Sequence, residues 1–369
     1  MIPINLPLLG EEEIEAVVQV LRSGVLTHAL GQGPTVKKFE EEFAEFVGAK
    51  HAIAVNSGTA ALHIAIESMG IKSGDEVILP SFTFVATAEA VVWAGAKPVF
   101  VDIDPETYNI SPLNVEKSLT EKTKAIIAVD LYGAPADIKP IKEVAEKHGI
   151  GIIEDAAQAH GATYMGKHVG AYADVACFSF YASKNMTTGE GGMITTNDNE
   201  IAEKCKGIRS HGEKEKYKSI WLGHNYRMPE MEAAIGRVQL KKLPGFLEKR
   251  RKNADELSAK LKSASSLLLP KEREGCSNSW YLYTVRAEGT SREKRDMIIE
   301  QLRKKGVGAE VYYPIPIHLM PYYTQFGGRR LPETEKASEQ VFSLPVHPGV
   351  TSSQIEFISR AVLHLIDSR

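Results

Sequence analysis

Two ionisable residues at the ends of apolar runs carry the sharpest chemical signal in this sequence. Asp155 stands in EDAAQAHGA (154–162), where the run IGIIED stops, and Lys184 follows 29 residues later in SFYASKNMTTGEGG. A lysine amine can form an imine with an aldehyde, and a carboxylate can hold a pyridine nitrogen protonated so that the ring accepts electrons. Pyridoxal phosphate (PLP) chemistry needs that pair. Taken singly, each has an ordinary reading: an aspartate ending a strand is commonly a cap or turn former, and a lysine in a glycine-rich loop is commonly solvated.

Two further stretches suit the same cofactor. NSGTAAL (56–62) follows the strand-like HAIAV and opens a helical pattern, so the backbone N–H groups of Gly58 and Thr59 can face an anion such as the cofactor phosphate. As a bare string it reads more readily as a strand-to-helix turn capped by Asn56 or Ser57. PSFTFVAT (80–87) offers Phe82 and Phe84, either of which could stack on a pyridine ring or pack in the core. Convergence of the three stretches, rather than any one, selects the cofactor reading.

Convergence requires elements that bring these stretches together. From residue 50 the chain alternates short apolar runs with helical patterns: HAIAV, EVILP, KPVFVDI, AIIAVDL, IGIIED, VACFSF and MITT each read as a strand. Repeated strand–helix–strand units imply an α/β fold with a mostly parallel sheet covered by helices. In such a sheet the C-terminal strand ends line the ligand crevice, so Asp155 and Lys184 can share one site. Gly48, Gly70, Gly95 and Gly149 each close an apolar-periodic segment, as helix-terminating glycines do.

Beyond a helix starting near Pro229, LPGF (243–246) is expected to break the pattern before a charged helix from Leu247 to Lys262. This puts a domain boundary near 244, giving a large cofactor-binding domain over 1–244 and a small α/β domain over 245–369. The small domain contains strand-like WYLYTV and AEVYYP, the helix SREKRDMIIEQLRKKG, and a last helix opened by Thr351 with Gln354 as a capping box.

The bulk properties narrow the class. The chain has 369 residues, 43% hydrophobic and 25% charged, which suits about two globular domains. A net charge of −3 supplies no global field for nucleic acid or an anionic membrane. The basic run KKLPGFLEKRRK (241–252) lacks interleaved aromatics and reads as a solvated helix face. Cys177, Cys205 and Cys276 form no CxxC pair, which fits a reducing cytoplasm, and the eleven histidines show no HExxH, so no metal is expected; His160 and His318 read as packed or hydrogen-bonded. Neither a signal-peptide core nor a run of roughly 18 uncharged apolar residues is present.

Together, the motifs resemble those of the DegT/StrS-type sugar aminotransferases, a branch of the aspartate-aminotransferase-like (fold type I) PLP enzymes. The resemblance runs in order through SGVLTHALGQGPTVKKFEEEFAEFVG, NSGTAAL, PSFTFVATAEAV, VDIDPETYNI, LYGAPADI, EDAAQAHGA, FSFYASKNMTTGEGG, GHNYRMPEMEAAIG, YYPIPIHL and SLPVHPGVT. It implies that Lys184 forms the imine and moves the proton, that Asp155 partners the pyridinium, and that Gln158 donates to the ring's phenolic oxygen. It assigns Gly58, Thr59 and Ser179 to the phosphate, Phe84 rather than Phe82 to ring stacking, and Asn225 to the phosphate of a neighbouring subunit, hence a homodimer with shared active sites. Lysine at 184, rather than the histidine of the dehydratase branch, favours transamination over deoxygenation. The implied reaction moves an amino group, with L-glutamate as donor, to the ketone of a nucleotide-diphosphate sugar by a ping-pong route through pyridoxamine 5'-phosphate. A family member acting on a non-sugar cyclic ketone would share every cofactor residue, and a regulatory protein keeping the fold is the alternative outside catalysis.

Overall fold

The computed structural model describes residues 1–367. Seven strands form the central sheet: β1 (His51–Val55), β2 (Glu76–Pro80), β3 (Lys97–Val101), β4 (Thr123–Val129), β5 (Gly151–Asp155), β6 (Val175–Ser179) and β7 (Gly192–Thr196). Their spatial order is β1-β7-β6-β5-β4-β2-β3. All neighbouring pairs are parallel except those made by β7, which runs antiparallel to both β1 and β6.

These strands are apolar on both faces because helices cover both. Along β2, β4 and β6 the side chains alternate between two cores, as a period of two dictates. Val77, Leu79, Ile127 and Cys177 enter the core under the helices Gly58–Ser68, Ala86–Trp93 and Asn199–Arg209. Ile78 and Ile126 face the helix Ile138–His148, while Ala176 and Phe178 meet Phe39 and Phe43 of the helix Pro34–Val47. Glycines end two of these helices in the left-handed region, Gly48 at φ 75° and Gly149 at φ 63°.

The chain crosses into the second body along one 32-residue helix, Glu230–Leu261. The break expected at 243–246 is therefore absent: Pro244 lies inside the helix. Its neighbours explain this, since Leu240 and Leu243 are buried in the large-body core, and tertiary packing outweighs the local cost of a proline. Ala254, Leu257 and Leu261 of the same helix enter a different core, built by β8 (Leu267–Leu268), β9 (Tyr283–Ala287), β10 (Val341–Leu344) and the helices Arg292–Lys304 and Ser352–Asp367. Ile2 also packs in that core, and it bridges to Val307.

Other local expectations resolve in both directions. Thr351 and Gln354 form both arms of a capping box, with N···O distances of 2.9 and 3.3 Å. AEVYYP is not a strand; only Glu310 bridges, to Ser343, and the following tyrosines turn toward the sheet's C-terminal edge. The basic run is not simply a solvated face, because Arg250 is buried and donates to the carbonyls of Trp280 and Tyr281 at 3.0 and 3.2 Å. No helix among the described residues is long and apolar enough to cross a membrane.

Candidate active site

The C-terminal ends of β1, β2, β5 and β6 open onto a cavity of about 440 Å3. Gly58, Thr59, Phe84, Asp155, Gln158, Ser179 and Lys184 all line it, although they come from four separate stretches of chain. The parallel sheet makes this possible by ending these strands on one edge.

Asp155 terminates β5 and is buried. Thr87 Oγ1 donates to its Oδ2 at 2.8 Å, and the Ala157 N–H donates to its Oδ1 at 3.2 Å. Burial pushes the Asp155 carboxyl above its ordinary range, while Thr87, the Ala157 N–H and the Lys184 charge pull it back. A cation placed against this carboxylate would relieve the cost of burying it, which is the environment a protonated pyridine nitrogen offers. Beside Asp155 lies a buried acid pair, with burial lifting Glu154 to about 7 and Asp130 well above its ordinary value.

Lys184 sits in the loop between β6 and β7, its N–H bonded to the Tyr181 carbonyl at 2.9 Å. Its Nζ lies 4.7 Å from the centre of the Tyr281 ring. Tyr281 is held in turn by Ser183, 2.9 Å from its hydroxyl, and by Arg250 at its carbonyl. The buried Arg250 thus fixes an aromatic face under the amine.

The helix Gly58–Ser68 starts at the cavity wall. Ser57 caps it by accepting from the Ala60 N–H at 3.1 Å, and the N–H groups of Gly58 and Thr59 lie beyond reach of the helix's own carbonyls. Only glycine fits at 58, where a Cβ would stand 2.7 Å from Ser179 Cβ. That contact sets the serine hydroxyl beside the helix start, a donor group of the kind that holds a phosphate.

Phe82 is fully buried, whereas Phe84 is 52% exposed and faces the cavity. The Phe84 ring lies 5.8 Å from that of Tyr313. Gln158 is fixed by its partners: its Oε1 accepts from the Tyr132 N–H at 2.8 Å and its Nε2 donates to the Tyr313 hydroxyl at 3.0 Å. Asn225 lies apart from the others, exposed and outside this cavity, with Ser210 as its backbone bridge partner. A lysine amine, a buried carboxylate, a helix start with free donors and an exposed aromatic face are the donor set that PLP requires, so the residues present fit the group.

Sequence reasoning missed Thr87, Tyr281 and Tyr313. Thr87 ends the PSFTFVAT stretch and stands near the start of the helix Ala86–Trp93, a position from which a hydroxyl can reach a neighbouring strand end. Tyr313 falls in YYPIPIHL, a stretch that carries the resemblance without a role assigned to it, and Tyr281 carries no such signal. His160 is wedged against Phe178 and Phe180, with burial and Lys184 lowering its pKa to about 3, and His318 is bonded to Ser81 at 2.7 Å; both are occupied structurally.

Comparison with known proteins places this geometry. Residues 7–363 match the DegT/DnrJ/EryC1/StrS aminotransferase family. A pleiotropic regulatory protein of Geobacillus stearothermophilus is 44% identical, covering 96% of this chain and 97% of its own. The dTDP-3-amino-3,4,6-trideoxy-alpha-D-glucose transaminase of Streptomyces venezuelae is 40% identical, covering 94% and 90%. The crystal structure of S. venezuelae DesV in complex with a ketimine intermediate superposes with a TM-score of 0.92 at 37% identity, covering 99% of each chain. The fold is that of PLP-dependent aminotransferases, and the chain belongs to the DegT/DnrJ/EryC1/StrS aminotransferase family, enzymes that work through pyridoxal and pyridoxamine phosphate.

Proposed function

We propose that this aminotransferase moves an amino group from L-glutamate to the ketone of a nucleotide-diphosphate sugar, in two half-reactions that use one site in turn. The observation that carries the reading is the meeting of Lys184 and Asp155 in one cavity with the Gly58 helix start and the Phe84 face. Relatives of similar length act on such sugars by name, as the S. venezuelae transaminase does.

Bound PLP supplies an imine-forming aldehyde and an electron-accepting ring. The chain's residues do the rest. Asp155 would hold the ring nitrogen protonated, and the hydrogen bond from Thr87 favours the ionised carboxylate and orients it. Gly58, Thr59 and Ser179 would hold the phosphate, Phe84 would offer its face to the ring, and Gln158 would donate to the phenolic oxygen. Lys184, whose amine faces the cavity, would hold the cofactor and, when free, would serve as the general base and then general acid that moves the substrate's proton. Asn225, exposed on its own chain, reaches the phosphate of a second copy, making the functional unit a homodimer.

The test is a panel of 3-keto and 4-keto nucleotide sugars offered to the purified holoenzyme with glutamate, the amino product read by mass. Borohydride reduction should fix the cofactor on Lys184. Label on another lysine would refute the site, and amination of non-sugar cyclic ketones alone would refute the substrate class.

A further inference from the structure

Outside the cavity, one cluster of donor atoms has no part in the chemistry above. His63 and Glu67 lie one turn apart on the helix Gly58–Ser68, and the segment after Ser210 brings His224 against them. Glu67 Oε1 is 3.5 Å from His63 Nε2, Glu67 Oε2 is 3.0 Å from His224 Nε2, and one donor atom from each residue lies within 4.8 Å of the others. The His63 side chain is 6% exposed, yet its Nε2 has no hydrogen-bond partner among the described residues. Its other nitrogen, Nδ1, faces the Tyr226 hydroxyl at 3.3 Å. With Nδ1 occupied, Nε2 is the nitrogen turned toward the cluster.

We propose that His63, Glu67 and His224 bind a divalent ion of the zinc class through the two Nε2 atoms and the Glu67 carboxylate. Two imidazoles and one carboxylate suit zinc, with water as fourth ligand, whereas calcium and magnesium take oxygen-rich sites. Zinc bonds of about 2.0–2.1 Å put tetrahedral donors roughly 3.4 Å apart. The separations of 3.0 and 3.5 Å, each to a different Glu67 oxygen, are close to that spacing, and His224, 24% exposed, has room to shift so that one carboxylate oxygen and both imidazoles meet one ion. The Tyr226 hydroxyl at His63 Nδ1 is the outer partner that metal-bound histidines usually have. The chain around His224 is already fixed, its N–H donating to the Ile208 carbonyl at 2.7 Å and its ring stacked 4.7 Å from that of Tyr226.

The ion would tie two segments that matter elsewhere. The helix carrying His63 begins at Gly58, and Asn225 directly follows His224. Metal binding itself is independent of the aminotransferase substrate.

The experiment treats holoenzyme with a chelator, re-saturates it with PLP, and titrates Zn2+ against a chromophoric competitor. One equivalent per chain is expected. Glu67→Gln and His224→Asn should each weaken zinc by no less than roughly 10- to 100-fold, the loss that even an indirect ligand partner causes. Co2+ added to the unmutated protein should show the intense ligand-field absorption of a four-coordinate ion. Sub-stoichiometric zinc, an affinity in either variant equal to that of the unmutated protein, or a weak octahedral cobalt spectrum would overturn the site. The cobalt spectrum decides the matter even if a variant fails to fold.

Discussion

Replacing Thr87 by valine removes one hydroxyl from a fully buried position and nearly preserves its shape. That hydroxyl donates to Asp155 Oδ2 at 2.8 Å and lies 3.2 Å from Thr83 Oγ1. In Thr87→Val, the Ala157 N–H at 3.2 Å is the remaining hydrogen-bond donor to this carboxylate among the described residues. A hydrogen bond to a charged group contributes about 1.5–3 kcal/mol, or about one to two pKa units. Losing it raises an Asp155 pKa that burial has already raised, so the ionised form, which the proposed mechanism needs at the ring nitrogen, becomes scarcer. The half-reaction with glutamate, followed by cofactor absorbance in a stopped-flow instrument, should slow by about 10- to 150-fold. The acid limb of its pH profile should move up by about one to two units. Thr87→Ser, which restores the hydroxyl, should recover most of the rate. A valine variant within about threefold of wild type, under 1 kcal/mol, would refute the reasoning, as would a serine variant as slow as valine.

The acid pair behind the site makes the stability of the metal-free apoprotein pH-dependent. Folded Glu154 keeps its proton up to about 7, whereas the unfolded chain releases it from the ordinary value of 4.5, so stability present below about 4.5 is lost as pH rises through about 7. Glu154→Gln should remove that loss, which amounts to about 3 kcal/mol at most, and urea midpoints at about pH 5 and about pH 8 measure it. Equal pH dependence in both proteins would show that Glu154 is not protonated in the fold. Shared sites predict complementation between two inactive variants, Lys184→Ala and Asn225→Asp: in the hybrid dimer one site combines both lesions and the other is intact. Random mixing should return up to about a quarter of wild-type activity, and verified heterodimers without activity would place Asn225 in its own subunit's site.

Asp155 and Lys184 were legible because their chemistry is uncommon at the ends of strands and the βαβ rhythm brings such ends together. The phenylalanines of PSFTFVAT were not separable by residue type; the resemblance favoured Phe84, and the structure puts Phe82 in the core and Phe84 at the cavity. Tyr281 and Tyr313 could not be found, since an aromatic in an apolar run reads as core and AEVYYP alternates like a strand. Pro244 misled because its local cost is visible in sequence while the packing of Leu240 and Leu243 is not. His224 and Glu67 are 157 residues apart, so their meeting depends on a loop path that no periodicity encodes. The antiparallel direction of β7 was equally hidden, as four residues of MITT say nothing about orientation.

That direction has a consequence for how the chain is made. Among the described residues the one strand beside β1 in the sheet is β7, His51 opposite Thr196 and Val55 opposite Gly192, and a Cβ at Gly192 would stand 2.4 Å from the Ser57 carbonyl oxygen. The first strand therefore waits, during synthesis, for a segment more than a hundred residues downstream, and such distant closure costs chain entropy before any contact rewards it. Ser179, against which Gly58 fits, emerges only shortly before β7. A nascent chain shorter than this lacks both the partner strand of β1 and the serine against which Gly58 fits, so the two halves of that contact come together only late in synthesis.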